Sequence, residues 1–225
     1  KDGHWDGNGK WITVKGACEN NLKNIDVAFP LSEEDKPKVE ELMGVKIEKP
    51  CYTVIWTTTP WTIPANQAIN MHPDLSYALV DCGDKYLILG ANLVEDCLKR
   101  YKLEGKIVGE TNGKNLDHVR FMHPFSQLHE GFKRFSPVFL GEYVEATSGT
   151  GVVHSAPAYG LDDFVSCKAN GMTNDQILNP VMGNGVYADW LPLFGGLNIW
   201  KAQPKIVDTM RVAGVLLNCE MIQHS

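Results

Sequence analysis

The stretch Tyr52-Thr53-Val54-Ile55-Trp56-Thr57-Thr58-Thr59-Pro60-Trp61-Thr62-Ile63-Pro64 decides the fold. Its first six residues are β-branched or aromatic, which predicts a β-strand, and the two prolines end that strand. The hydroxyl side chains before Pro60 place several hydrogen-bond donors and acceptors on a short piece of backbone. We therefore expect a strand that leads into a polar loop, although an edge strand rich in threonine has the same composition.

Strand and helix patterns alternate along the rest of the chain. Residues 77–80 and 86–89 flank a turn signal and predict an antiparallel hairpin, and residues 138–144 and 151–154 predict two further strands. Helix patterns cover residues 32–44, 92–101, 161–171 and 204–214, with Asn92 as the expected cap of the second helix and Pro204 at the start of the last. Residues 1–30 predict irregular structure or short strands.

These patterns predict an α+β fold with a mainly antiparallel, β-barrel-like core and peripheral short helices. No internal repeat or linker divides the chain, so we expect one domain over residues 1–225. Within it, residues 1–45 form a peripheral segment of open role and residues 46–225 form the core.

Composition narrows the class of protein. The 225 residues carry 21 Lys+Arg and 27 Asp+Glu, for a net charge of −6, and 44% are hydrophobic, which is typical of a globular protein and excludes a largely disordered one. No apolar run reaches the ~18 residues of a membrane span, and no signal peptide is evident. The six cysteines form no Cys-x-x-Cys pair, which favours a reducing, cytoplasmic setting. The chain begins with Lys1, so we expect a fragment of a longer protein.

Several common sites are missing from the sequence. There is no phosphate-binding Gly-x-x-x-x-Gly-Lys-Ser/Thr loop, no Gly-x-Ser-x-Gly elbow and no His-Glu-x-x-His pair. We therefore expect no cofactor and no metal in this chain, and no serine-hydrolase triad.

A second polar stretch lies far from the first in sequence. Gly149-Thr150-Gly151-Val152-Val153-His154-Ser155-Ala156-Pro157 is followed by Asp162-Asp163. This pattern places an imidazole at a strand end and two carboxylates in the first turn of a helix, where the helix dipole favours the ionised form. His154 and the two aspartates are equally compatible with ordinary polar roles at element ends.

The two stretches resemble the signature peptides of the editing domain of isoleucyl-tRNA synthetase, a class I aminoacyl-tRNA synthetase. The resemblance runs from about Tyr52 to the end, where Met221-Ile222-Gln223-His224-Ser225 is similar to the exit from the editing insertion. Thr59 stands where valyl and leucyl enzymes usually carry arginine, which favours the isoleucyl branch. Ala158-Tyr159-Gly160 departs from the Gly-His-Gly of bacterial relatives.

The resemblance implies hydrolysis of valine wrongly attached to isoleucine tRNA, and also discharge of valyl-adenylate. Valine lacks one methylene of isoleucine, and this difference contributes only about 1 to 3 kcal/mol to discrimination between the two amino acids at a binding site. Because that is too little for accurate charging, a second site must admit valine and exclude isoleucine.

The resemblance also implies roles for individual residues. Asp163 binds the α-ammonium group of the aminoacyl moiety. His154 forms one wall of the pocket for the amino-acid side chain, and its ring N–H can donate to the terminal ribose. The catalytic set comprises Asp163 and the threonines Thr57, Thr58 and Thr59, which position the ester, the terminal adenosine and an attacking water. Trp61 packs either on the base of the terminal adenosine or in the protein core, and the core is the favoured interpretation. No residue is an obvious general base, so a ribose hydroxyl of the substrate is expected to assist.

The implied partners are the 3′ end of isoleucine tRNA and the catalytic domain of the parent synthetase, with no membrane. The parent uses ATP and Mg²⁺, but this chain lacks both ATP-site signatures of such enzymes and is not expected to charge tRNA. A non-catalytic module that binds aminoacyl-tRNA and a generic small-molecule esterase are the alternatives. Two clusters of basic residues could contact tRNA phosphates, but the favoured interpretation is that they form solvent-exposed faces: Lys99, Arg100, Lys102, Lys133 and Arg134.

Overall fold

The computed structural model describes Gly3–Trp5, Trp11–Thr13 and residues 22–221. The end of the expected exit peptide, residues 222–225, and Cys18 lie outside the described residues. The strands are β1 (Gly3–Trp5), β2 (Trp11–Thr13), β3 (Leu22–Pro30), β4 (Cys51–Thr57), β5 (Ala68–Met71), β6 (Ser76–Asp81), β7 (Tyr86–Gly90), β8 (Lys106–Asn112), β9 (Arg120–Met122), β10 (Phe135–Leu140), β11 (Val152–Ser155) and β12 (Leu216–Met221). The helices are α1 (Lys36–Met43), α2 (Val94–Tyr101), α3 (Leu161–Ala169) and α4 (Ile199–Val212).

Two sheets build most of the molecule. The larger runs in the order β12-β3-β4-β7-β6-β8, and the smaller in the order β11-β5-β10-β9. Their strand pairs are antiparallel except β4 with β7 and β5 with β10. The α+β class and the mainly antiparallel sheets are therefore confirmed, although the sheets do not close into a barrel within the described residues.

One apolar core joins the two sheets. Phe29 and Tyr77 come from the larger sheet, Phe121 from the smaller, and Tyr187 and Phe194 from the long loop before α4. A bridge between Leu31 and Phe121 links the end of β3 to β9. The loop over residues 179–196 thus fills the core even though it forms no regular strand or helix.

Helix α2 covers the opposite face of the larger sheet, as its periodicity predicts. Cys97 and Tyr101 pack on Val54, Leu87 and Leu89 in a second, smaller cluster. The cap expected at Asn92 is wrong, because a 3₁₀ turn over Ala91–Leu93 precedes the helix and Leu93 takes the cap position. Asn92 instead donates from Nδ2 to the carbonyl oxygen of Ala146 at 2.7 Å.

Two further predictions need correction. Short strands do occur within residues 1–30, as β1 and β2, but residues 22–30 form the longer, nine-residue strand β3, which pairs with both β4 and β12. Helix α4 begins at Ile199 and not at Pro204, because Asn198 caps it by accepting the N–H of Trp200 at 3.0 Å. No helix among the described residues is long and apolar enough to cross a membrane.

Candidate functional site

The two polar stretches meet in space although about 90 residues separate them in sequence. Strand β11 carries His154 and pairs antiparallel with β5, the strand that follows the threonine stretch. Just before that pairing, the Gln67 N–H donates to the Ser155 carbonyl at 2.9 Å. The two motifs therefore lie next to each other in the structure.

A 3₁₀ helix over Pro60–Ala65 connects the threonines to β5, and remote side chains hold its carbonyl groups. The Tyr187 hydroxyl donates to Trp61 O at 2.5 Å, and Arg134 Nη2 donates to Pro64 O at 2.6 Å. His123 Nε2 donates to Ile63 O at 2.9 Å. Because Pro64 lacks an N–H inside this short helix, these side chains supply hydrogen-bond partners that a longer, regular helix would otherwise provide.

The three threonines differ in exposure. Thr57 is buried, and its hydroxyl oxygen accepts the Thr59 N–H at 3.0 Å, which bends the chain after β4. Thr58 and Thr59 are exposed. Thr57 therefore shapes the loop, whereas the other two hydroxyl groups are accessible to a ligand.

His154 is bonded within the protein through both ring nitrogens. Nε2 lies 2.9 Å from Thr62 Oγ1, and Nδ1 lies 3.1 Å from Asn66 Nδ2. Although part of the residue is accessible, burial of the ring lowers the pKa of His154 to about 4, so the imidazole is neutral at pH 7. Neither nitrogen is free to donate to a ribose in this arrangement.

Asn66 connects His154 to β10. Its side chain is fully buried, donates from Nδ2 to Ala68 O at 2.9 Å and accepts at Oδ1 from the Ser136 hydroxyl at 2.6 Å. The sequence patterns assign no role to Asn66, which follows the first motif, or to Ser136. No local pattern marks Ser136, because only the pairing of the strands brings it to Asn66.

Asp163 lies in the first turn of α3, as predicted, and is half-buried. Its Oδ2 accepts the Ala156 N–H at 3.0 Å, so the carboxylate closes the 156–160 loop. Burial raises the pKa of Asp163, an effect opposite to the stabilisation expected from the helix N-terminus. No Lys, Arg or His among the described residues forms an ion pair with it, and Asp162 beside it is exposed.

Trp61 packs against the main core and, edge-on, against Tyr159, with ring centroids 5.2 Å apart. Its indole Nε1 is buried and has no hydrogen-bond partner among the described residues. The Tyr159 hydroxyl bonds to Asn179 Oδ1 and to the Val181 N–H, both at 3.0 Å. Tyr159, held at its hydroxyl by these two bonds, thus supports the indole ring.

A cavity of about 310 Å³ adjoins the two motifs. Trp56, which precedes the threonines, and Tyr143 form two of its walls, and residues 148–153, which lead to His154, form another. Both aromatic side chains are partly exposed. Thr58, Thr59, His154 and Asp163 are not among the residues that line this cavity.

The basic residues divide into two groups. Lys99, Lys102 and Lys133 are exposed. Arg100 instead pairs with the buried carboxylate of Asp26 at 2.8 Å, and Arg134 donates to backbone carbonyls. These arginines serve the fold. In the part of the chain that the structure describes, no group of three or more metal-ligating side chains is present.

Solved structures define the class of fold. The crystal structure of GlLeuRS-CP1, the CP1 domain of a leucyl-tRNA synthetase, superposes with a TM-score of 0.66 at 15% identity, covering 90% of this chain and 99% of that one. The P. knowlesi cytosolic leucyl-tRNA synthetase editing domain gives a TM-score of 0.52 at 14% identity, over 74% of this chain and 71% of that one. The chain therefore has the fold of a synthetase CP1 editing domain.

Sequence comparison relates the chain to isoleucine–tRNA ligases. The chain is 53% identical over 206 residues to the isoleucine–tRNA ligase of Cupriavidus pinatubonensis and 56% identical over 202 residues to that of Azoarcus sp.. These alignments cover 90% and 89% of this chain but 21% of each relative, so the chain spans about a fifth of the length of the curated relatives it matches. No family model matches the chain. The resemblance to the editing domain of isoleucyl-tRNA synthetase is confirmed.

Proposed function

We propose that this chain hydrolyses the ester of valine wrongly attached to isoleucine tRNA. The observation that carries the proposal is Asp163, a half-buried carboxylate without a cationic partner among the described residues. Burial without a counter-charge makes an ionised carboxylate costly, and the α-ammonium group of an aminoacyl ester supplies that charge. The same chemistry extends to valyl-adenylate, which carries the same α-ammonium group.

Hydrolysis in this site relies on positioning. The exposed hydroxyls of Thr58 and Thr59 orient the ester and an attacking water, and donors toward the developing oxyanion need no metal. His154 is neutral and bonded through both nitrogens, so it is poorly placed to act as the base. A ribose hydroxyl of the terminal adenosine therefore assists. A 3′-terminal deoxyadenosine that reacts at the normal rate would exclude this step.

We propose that the ring of His154 selects valine. The ring of His154 forms a wall that admits an isopropyl group and meets the additional methylene of isoleucine. Its two hydrogen bonds hold the ring in place, which makes the wall rigid.

The wider assignment rests on the relatives. The partners are the 3′ end of isoleucine tRNA and the catalytic domain of the parent synthetase, and aminoacylation with ATP and Mg²⁺ belongs to the parent. Five described cysteines are free, in keeping with a reducing, cytoplasmic compartment: Cys51, Cys82, Cys97, Cys167 and Cys219.

The test is release of valine from isoleucine tRNA charged with valine. Replacing Asp163→Asn removes the charge at nearly constant shape, and we expect release to fall on the order of 100-fold, the effect of losing a charge-assisted bond. Asp162→Asn is the matched control, because this neighbour is exposed, and its rate should stay within about twofold.

Other outcomes would overturn the proposal. A chain that protects the ester instead of cleaving it is an aminoacyl-tRNA-binding module. Equal hydrolysis of N-acetylvalyl-tRNA indicates a generic esterase, because the acetylated substrate has no ammonium group for Asp163 to bind.

A further inference from the structure

The orientation of the Asn66 amide is fixed by its neighbours. The Ala68 carbonyl is only an acceptor, so the atom 2.9 Å from it must be the amide nitrogen. The Ser136 hydroxyl donates to the oxygen on the other side at 2.6 Å. A rotated amide would bring two acceptor oxygens together in a fully buried position, which is costly.

This orientation determines where the proton of His154 resides. The second N–H of the Asn66 amide faces Nδ1 of the ring at 3.1 Å, so Nδ1 is the acceptor of that bond. A neutral imidazole with an acceptor at Nδ1 carries its proton on Nε2. Nε2 then donates to Thr62 Oγ1 at 2.9 Å.

The chain of bonds continues to the threonine loop. The Thr62 hydroxyl, with its oxygen occupied by the imidazole, donates its own proton to Thr59 O at 3.0 Å. The Thr59 N–H is in turn bonded to Thr57 Oγ1 at 3.0 Å. The backbone of Thr59 is thus held at both its N–H and its carbonyl oxygen.

We infer that Asn66 selects the Nε2–H tautomer of His154, and that His154 is a positioning residue whose bond to Thr62 fixes the threonine loop. Its nitrogens serve the protein and only the remaining surface of the ring faces a ligand. Ser136 supports this arrangement from β10. The inference deepens the proposed function and rests on it for the part that concerns hydrolysis.

The tautomer is measured directly by nitrogen NMR of the 225-residue chain labelled with ¹⁵N-histidine, at pH 7, with His154→Gln identifying the resonances. We expect a pyrrole-type Nε2 and a pyridine-type Nδ1. A protonated Nδ1 in the unaltered chain would overturn the inference without any variant.

Asn66→Asp is the sharpest variant, because it replaces the donor that faces Nδ1 with an acceptor at nearly constant shape. The same carboxylate oxygen meets the Ala68 carbonyl, so we also expect a loss of stability, and the folded state is checked first. We expect Nδ1 to gain a proton and become pyrrole-type, and valine release to fall about tenfold, the effect of one lost hydrogen bond. A pyridine-type Nδ1 in this folded variant would contradict the inference.

Asn70→Asp is the matched control. Asn70 is equally buried on β5 and bonds to the Ser155 and Ser166 hydroxyls, but it does not contact His154 through a hydrogen bond. In the Asn70→Asp variant, the tautomer of His154 should match that of the unaltered chain. A change of tautomer in this control would show that the effect of Asn66 is not specific. If the unaltered chain releases no valine, the proposed function fails, whereas the NMR result still decides the tautomer.

Discussion

At the scale of single residues, Thr62 and Asn66 hold the imidazole of His154 through both of its ring nitrogens. His154 at a strand end and Asp163 at a helix start are where the patterns place them. The network around His154 is not predictable from local sequence, because Asn66 meets the ring, and Ser136 meets Asn66, only when β5 pairs with β10 and β11. The rise in the pKa of Asp163 follows from burial, which local sequence does not encode.

Removal of the imidazole should change both selection and stability. We expect His154→Ala to release isoleucine from correctly charged isoleucine tRNA, because the wall that excludes the additional methylene is lost. The variant should also lose about 1 to 3 kcal/mol of unfolding free energy, since Thr62 and Asn66 each lose a partner. Isoleucine release and urea denaturation measure the two effects. His129→Ala, at an exposed histidine, is the control. Continued protection of the isoleucyl ester would exclude the role in selection.

At the scale of elements, periodicity and turn residues predict most strands and helices. For residues 1–30 the sequence predicts only irregular structure or short strands, yet Ile25, Val27 and Phe29 alternate along the nine-residue strand β3 and are all fully buried. Asp26 interrupts the apolar character of this stretch, and its role becomes clear only from Arg100 on α2, which pairs with it at 2.8 Å. The 3₁₀ helix over Pro60–Ala65 was likewise unpredictable in shape, because side chains from distant loops hold it.

Arg134 should be essential to that 3₁₀ helix. Arg134→Met keeps an unbranched apolar chain but leaves the carbonyls of Pro64 and Asn66 without their donor. We expect a loss of about 2 to 6 kcal/mol in unfolding free energy, at 1 to 3 kcal/mol for each of the two unpaired carbonyls, measured by urea denaturation. Lys133→Met is the matched control, because its ion pair with Glu130 is exposed and should contribute less than about 1 kcal/mol. Equal losses in the two variants would contradict this account of the helix.

At the scale of the whole molecule, residues 22–45 pack with the rest of the chain. Strand β3 lies between β4 and β12 in the larger sheet, and Val39 of α1 is fully buried in the main core. Asp26 joins three elements, since it bonds to Arg100 and Tyr101 of α2 and to Asn218 of β12. Sequence alone suggested a peripheral segment here, because the motifs of the site all begin after it.

Truncation tests the importance of this segment. A chain that begins at residue 46 lacks β3 and should fail to fold cooperatively, because β4 and β12 lose the strand between them. A chain that begins at residue 22 retains the larger sheet and should unfold in one cooperative transition. Near-ultraviolet circular dichroism during thermal unfolding distinguishes the two. A native spectrum from the shorter chain would show that β3 is dispensable.

The most direct measurement is the ratio of valine to isoleucine released from the same isoleucine tRNA by the unaltered chain. If the two motifs form one site with Asp163 as the anchor and His154 as the wall, valine should be released at least about tenfold faster, the effect of roughly 1.4 kcal/mol of steric discrimination. Equal release of the two amino acids, or release of neither, would contradict the assignment of this site to proofreading.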